Sequence, residues 1–324
     1  MLQYTANEYI VLIRFSQNKH LLVEGSDDKR FFIRLISEID KLYSQRRKLA
    51  SNLDIDTAEK LVGSETGLGN REKVESISSM ICDEDSSKFV GFVDREFRKF
   101  EVEETIQDSL PSHGVYSRLV WSRGHSVENY FFDSEILTEL FKDHTPVYWC
   151  DKVTSMFDKV LESTLKLACA LSLTGREVNR FDFIRSSIDW RVVELDSLEA
   201  NLRLSEWSNV LSDKSNFSST EIASLSAQYS FWREKLENTN MKTLRWLCHG
   251  HIGMTVIWAV YICCIYAAFP EDETKKPETV VNSVRGIGEN IRFQALTGSL
   301  ARRILQEQCE YPKEVIELLG LFAS

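Results

Sequence analysis

Proline and glycine are scarce in this chain, five and fourteen among 324 residues. That scarcity excludes a collagen-like or low-complexity polymer, and 43% hydrophobic residues with 27% charged ones describe a globular protein with a real core. Basic charge is in deficit as well: 39 Lys and Arg face 49 Asp and Glu, a formal net charge of -10. A protein that coats DNA by charge alone is excluded, since nonspecific affinity comes from neutralising phosphates. Local basic patches are not. The seven cysteines (82, 150, 169, 248, 263, 264, 309) form no CxxC pair and are odd in number. With a polar Met1 to Tyr9 segment that lacks a basic-then-apolar leader, they read as reduced thiols in a cytoplasmic protein. Long apolar runs are nearly absent. Ile252 to Phe269 has no formal charge and barely reaches membrane-spanning length, but Gly253, Thr255, Tyr261, Tyr266 and Cys263-Cys264 dilute it. No second span and no Lys/Arg-rich flank accompanies it, so it reads as a buried helix, with no membrane contact.

The first part of the chain alternates strand-like and helix-like patterns. Leu21 to Glu24 reads as a short strand, and Ser26 or Asp27 can cap a helix whose Phe31, Phe32, Leu35, Ile36, Ile39, Leu42 and Tyr43 recur at spacings of three and four. A polar connection follows, then Ala58 to Val62 as a weak strand and the loop Gly63 to Gly69. A helix from Asn70 carries Val74, Ile77, Met80 and Ile81, and the strands Phe89 to Val93 and Arg118 to Trp121 come next. Such alternation predicts an α/β fold with a mainly parallel sheet flanked by helices. Beyond Asp133 strand signals nearly vanish. Amphipathic stretches at 153–173, 192–211, 219–236, 242–269 and 300–319 dominate, joined by polar connections at 213–220 and 270–277. The expected organisation is an α/β catalytic domain over residues 1–135 and a mostly helical domain over 136–324.

Acids close the two strongest strands. Glu24 ends His20-Leu21-Leu22-Val23, and Asp94 and Glu96 follow Phe89-Val90-Gly91-Phe92-Val93. Ligands bind outside the carboxyl ends of strands in open parallel sheets. On an extended segment residues two apart point the same way, so Asp94 and Glu96 would share one cavity while Arg95 points elsewhere. Magnesium takes a few carboxylates, keeps several waters and binds phosphate oxygens, so Glu24, Asp94 and Glu96, assisted by Asp28, suit a Mg site, with Mn as the alternative, for phosphodiester cleavage. Solvated strand-end caps are the bland alternative for any one of these acids. Glu128 follows a stretch with Arg118, Arg123 and His125 but no acid. It is either a further metal ligand or base, or a helix-start carboxylate held by backbone amides.

Basic residues supply the other half of a nuclease. Lys29 and Arg30, with Arg34, follow Glu24; Arg95, Arg98 and Lys99 surround the acid pair; Arg118 and Arg123 lie at the next strand. Together they could hold a nucleic acid despite the acidic total. Arg46-Arg47-Lys48 reads as a solvated helix end. Cys248-His249-Gly250-His251 with Cys263-Cys264 matches no familiar zinc spacing, and buried thiols are the simpler account, although His249 or His251 could donate to a phosphate or carry a proton. Gly63-x3-Gly67-x-Gly69 lacks the Lys-Ser/Thr of a nucleotide loop, which argues against ATP binding.

Leu21-Leu22-Val23-Glu24-Gly25-Ser26-Asp27-Asp28-Lys29-Arg30-Phe31-Phe32 resembles the first motif of the TOPRIM domain, with Glu24 at its acidic catalytic position. Val93-Asp94-Arg95-Glu96 resembles its aspartate pair, with Glu96 standing where a second aspartate is usual and without the glycine that often follows. The resemblance covers roughly the first 130 residues. The set VEGxxD, Gly69-Asn70 before a helix, GFVDRE and Ser126-Val127-Glu128-Asn129-Tyr130 is similar to a TOPRIM-like family of bacterial anti-phage effector nucleases. That resemblance implies a toxic endonuclease, a homodimer when active, held by an ABC-type ATPase sensor subunit and halting translation by cutting tRNA. A TOPRIM DNA endonuclease and a noncatalytic interaction subunit are the competing readings.

Overall fold

A computed structural model describes residues 3–42, 49–62, 68–103, 105–214, 217–268 and 277–320. Arg46-Arg47-Lys48, Gly63 to Gly67 and most of the 270–277 connection lie outside the described residues. The chain divides into two compact units, one of Met1–Glu96, Leu110–Tyr130 and Thr297–Ser324, the other of Phe97–Ser109 and Phe131–Leu296. The sequence suggested one cut near residue 135. Instead the chain leaves the first unit twice, and its last helical segment belongs to the same unit as the sheet.

The first unit opens with α1 (Ala6–Phe15), started by a capping box. Thr5 Oγ1 accepts from the Glu8 amide at 3.3 Å, and Glu8 Oε2 accepts from the Thr5 amide at 2.7 Å. Then follow β1 (Lys19–Val23), α2 (Ser26–Leu42), β2 (Leu53–Thr57), α3 (Asn70–Met80) and β3 (Phe89–Val93). The excursion into the second unit carries the hairpin of β4 (Phe100–Val102) and β5 (Ile106–Asp108), after which β6 (Gly114–Tyr116) and β7 (Leu119–Trp121) return. The sheet runs β2-β1-β3-β7-β6, parallel except for β6, which pairs antiparallel with β7. A mixed α/β unit with a mainly parallel sheet is therefore present.

Both faces of the sheet are covered, which is why β1 and β3 are apolar runs without alternation. Leu21, Leu22, Val23 and all of β3 are buried, each large side chain contributing roughly 1.5–3 kcal/mol. Successive residues of β3 face opposite sides. Phe89 and Val93 join Val74 and Ile77 of α3 and Tyr9 and Ile13 of α1 in one cluster, while Phe92 meets Phe32 of α2 edge-on at 4.9 Å. Gly91 lies under α3: a Cβ there would stand 2.2 Å from Ser78 Oγ and 2.9 Å from Val74 Cγ1. Glycine lets the helix lie close on the strand.

One strand reading of this half is corrected. The weak strand expected at Ala58 to Val62 is a short 3-10 turn, Ala58–Lys60, followed by a single bridge from Leu61 to Tyr4. The strand is β2 immediately before it, whose Leu53-Asp54-Ile55-Asp56-Thr57 alternation suits an edge position beside β1.

The second unit is mostly helical: α4 (Ser134–His144), α5 (Val147–Val178), α6 (Phe181–Ser186), then a hairpin of β8 (Val193–Asp196) and β9 (Glu199–Leu202), α7 (Leu204–Lys214), α8 (Ser219–Lys235), α9 (Met241–Leu247), α10 (Gly250–Ala268) and α11 (Pro277–Arg285). The hairpin replaces the helical stretch expected from 192: Val193 to Asp196 pairs with Glu199 to Leu202 before Leu204 starts the helix. The expected 242–269 helix is likewise broken at Cys248-His249 into α9 and α10. The core is α10 against the 32-residue α5; Tyr261 stacks on Phe141 at 3.7 Å. Although long and apolar enough to cross a membrane, α10 is mostly buried inside this unit, as the core-helix reading expects. From the last part of α12 (Glu289–Leu305) the chain rejoins the first unit, where α13 (Lys313–Leu318) buries Val315 and Ile316 and Arg118 Nη1 donates to the Leu318 carbonyl at 3.1 Å.

Candidate active site

The order β2-β1-β3 locates the crevice. From β1 the chain moves to one side to make β2 and then crosses to the other side to make β3. Connections leave β1 and β3 in opposite directions at this switch point, so a cleft opens at their carboxyl ends. The register Val23↔Phe92 puts Glu24 beside the Val93-Asp94 step, and Glu24 Oε1 accepts from the Asp94 amide at 2.7 Å. Glu24 has the parity of Leu22 and turns toward the α3 side. Asp94 has that of Phe92 and turns toward α2, where Asp28 lies in the first turn.

Asp28 is buried and its Oδ2 accepts from the Gly25 amide at 3.0 Å, closing the start of α2 in the manner of a capping box. The Asp94 Oδ1 atom is buried without a hydrogen-bond partner. Glu128 sits in a 3-10 turn, Val127–Phe131, buried, with Oε2 accepting from Ser126 Oγ at 2.6 Å. The expectation that Asp94 and Glu96 share a cavity by strand alternation does not hold. The strand stops at Val93, the Glu96 backbone takes a left-handed φ of 52°, and its side chain is 48% exposed. The turn is fixed by the outgoing chain of β7: the Arg95 amide donates to Ser122 Oγ at 2.8 Å, and the Glu96 amide to the His125 carbonyl at 2.9 Å.

Electrostatics bind four acids into one group. Burial, then the charge of Glu24, pushes the Asp28 carboxyl up to about 8, and Glu128 adds to the effect. Burial, then Asp28, Glu24 and Glu128, holds the Asp94 carboxyl well above the usual range. Burial raises Glu24 as well, although Arg71 and the Asp94 amide oppose it. Buried like charges without compensation call for a cation or a proton. A hard divalent ion needs few carboxylates, and Asp94 Oδ1, buried and without a hydrogen-bond partner, and Glu24 are the candidate donors. Among the described residues no three His, Cys, Asp or Glu side chains converge on one point, so the three-acid cage expected from Glu24, Asp94 and Glu96 is not assembled.

The basic candidates are divided between the two units. Arg95 and Arg123 are enclosed rather than offered to a polyanion: Arg95 Nη1 donates to the Arg123 carbonyl at 3.0 Å, and Arg123 lies 3.7 Å from Glu310. Burial here holds the loop after β7. Arg30 is exposed and paired with Asp27 at 3.2 Å. Lys29 lines a separate cavity of about 700 Å³ with Asp54, Asp56 and Lys60, and Arg118 anchors Leu318. Arg98, Lys99, His249 and His251 belong to the second unit. There His249 stacks on Phe181 at 4.6 Å, and burial followed by the charge of His251 pulls its pKa down to about 4.

One cation that reaches the acids, Arg71, was not singled out from the sequence. Its Nε lies 3.3 Å from Glu24 Oε1 and its Nη1 2.6 Å from Glu96 Oε2. One signal was present. Arg71 falls in the first turn of a helix, where the dipole disfavours a cation unless acids are near. No family model matches the chain, and no curated protein matches it significantly.

Proposed function

We propose that the chain is a divalent-metal-dependent phosphodiesterase, an endonuclease acting on RNA, with Glu24 and Asp94 as its metal-holding pair. The observation that carries this reading is the unpartnered, buried Asp94 Oδ1 beside Glu24 and Asp28 at the β1–β3 switch point. A bound Mg or Mn ion would supply Lewis-acid stabilisation of phosphate charge and a more acidic water. The protein's own contribution is to hold the acids. The Asp94 amide orients Glu24, the Gly25 amide orients Asp28, and Ser126 orients Glu128, whose charge acts on Asp28 and Asp94.

The TOPRIM-like identity rests on the motifs around Glu24 and Asp94, as does the likeness to AriB, the effector nuclease of the PARIS anti-phage system. On that likeness the substrate is tRNA, the active form a homodimer, and the restraining partner an AriA-like ABC-type ATPase. A noncatalytic interaction subunit is the second reading, favoured by the guanidinium on Glu24 and Glu96 and by the lack of a three-donor cluster among the described residues.

Cleavage of tRNA and of duplex DNA by the purified protein, with Mg, with Mn and with chelator, decides between them. Glu24→Ala and Asp94→Ala should each lower metal-dependent cleavage by about a hundredfold or more, the scale of losing an electrostatic contact in a transition state. Cleavage of either substrate that both variants retain would sink the proposal, and cleavage of duplex DNA alone would replace RNA by DNA as the substrate.

A further inference from the structure

We infer that Arg71 is a two-position residue: it neutralises Glu24 and Glu96 while the site is metal-free, and releases Glu24 to the metal when it turns to the substrate phosphate. This rests on the proposed phosphodiesterase reading and adds a phosphate-binding residue and an internal competitor for the metal.

Position is the first argument. Arg71 lies in the first turn of α3, whose N-cap is Gly69, and the positive end of a helix is an unfavourable place for a guanidinium. Its partners must offset that. Among the described residues its hydrogen bonds go to Glu24 Oε1 and Glu96 Oε2. Glu24 is the acid that the switch point directs into the crevice, so the guanidinium holds a carboxylate that the proposed metal needs.

The second argument is the shared oxygen. Glu24 Oε1 already accepts from the Asp94 amide at 2.7 Å when Arg71 Nε approaches it at 3.3 Å. The longer contact is the weaker of the two, and an ion entering at Glu24 competes with it before it competes with the amide. Like-charge repulsion then acts on the guanidinium, which is only 14% exposed and cannot escape the field by dissolving into water. A planar fork of donors released beside the acids is suited to the nonbridging oxygens of a phosphate.

Glu96 is the third. Its left-handed backbone is uncommon for a non-glycine residue, and it brings the half-exposed carboxylate to Arg71 Nη1 at 2.6 Å. Glu96 thus acts as the parking partner of Arg71, a different role from the metal ligand expected of it.

The test is a titration of the metal-free, full-length protein with Mn2+, beside Arg71→Gln and Arg71→Lys, followed by thermal melts and by binding of a tRNA in Ca2+ measured by fluorescence anisotropy. Removing the competitor should tighten Mn2+ binding by about tenfold in Arg71→Gln, while tRNA binding weakens by a similar factor. If Arg71→Gln melts early, Arg71→Lys carries the comparison, because it keeps the charge but loses the two-pronged contact. It too should bind Mn2+ more tightly than the native chain. Mn2+ affinity equal to or weaker than native in a variant that melts normally overturns the inference, as does absence of Mn2+ binding by every form. The cleavage losses of Glu24→Ala and Asp94→Ala judge the nuclease reading separately: they can stand while Arg71 leaves metal affinity unmoved.

Discussion

Asp28 and Asp94 set the behaviour of the site at the residue scale. An unfolded aspartate titrates near 3.9, whereas burial and neighbouring carboxylates push Asp28 up to about 8 and Asp94 well above its usual range. The folded protein therefore binds more protons than the unfolded chain between those values, and stability falls as pH rises through that window. His249, held neutral with a pKa of about 4, acts oppositely, but its contribution is complete once the pH passes the unfolded histidine value near 6.5. Between about pH 6.5 and 8 the carboxyls act without it. In chelator, the melting temperature is expected to drop across that interval, and Asp28→Asn should flatten the slope and melt higher at the alkaline end. A native profile that is level or rising there would refute the assignment. Glu24 and Asp94 were legible in sequence because each terminates an apolar run. Arg71 was not, since its meaning depends on a strand end 47 residues earlier.

Elements show where pattern reading fails. The amphipathic α2 and the apolar β1 and β3 were plain, because burial on one or both faces leaves a period in the sequence. The β8–β9 hairpin left none. Its two-residue loop, Ser197-Leu198, takes left-handed φ values of 49° and 70°, a conformation normally signalled by Asn-Gly. Glu194, Leu195 and Glu199 read as helix formers, and no turn residue announces the reversal. The strained loop gives its own prediction. Ser197→Asn with Leu198→Gly should stabilise the second unit by about 1 kcal/mol, because both residues tolerate the observed backbone, and Leu198 is 48% exposed so little packing is lost. Thermal or denaturant melts measure it; a lower midpoint would show that the hairpin depends on Leu198 contacts.

For the whole molecule, the boundary near residue 135 was legible only in part. Texture changes there, but texture cannot tell that α13 returns to the sheet. Val315, Ile316 and Leu319 are almost fully buried, and Glu314 pairs with His113 at 2.9 Å. Three such side chains amount to roughly 5–9 kcal/mol by area, an upper bound, comparable with the whole stability of a domain. Deleting residues 308–324 should accordingly unfold the first unit, seen as the loss of one melting transition and rapid proteolysis within residues 1–96. Native-like melting of the truncated chain would show that α13 is dispensable.

The interrupted path of the first unit also orders its folding in time. Arg118 meets the Leu318 carbonyl across 200 positions of chain, and most of what intervenes is the second unit, Phe131–Leu296. While that stretch is a coil, joining its flanks carries a large loop-closure entropy; once folded, it behaves as a short rigid insert with fixed ends. The helical unit, rich in local contacts, should gain protection from hydrogen exchange before β7 and β6 do. The carboxylate group at the β1–β3 switch point would then be completed late, after the unit that carries none of it.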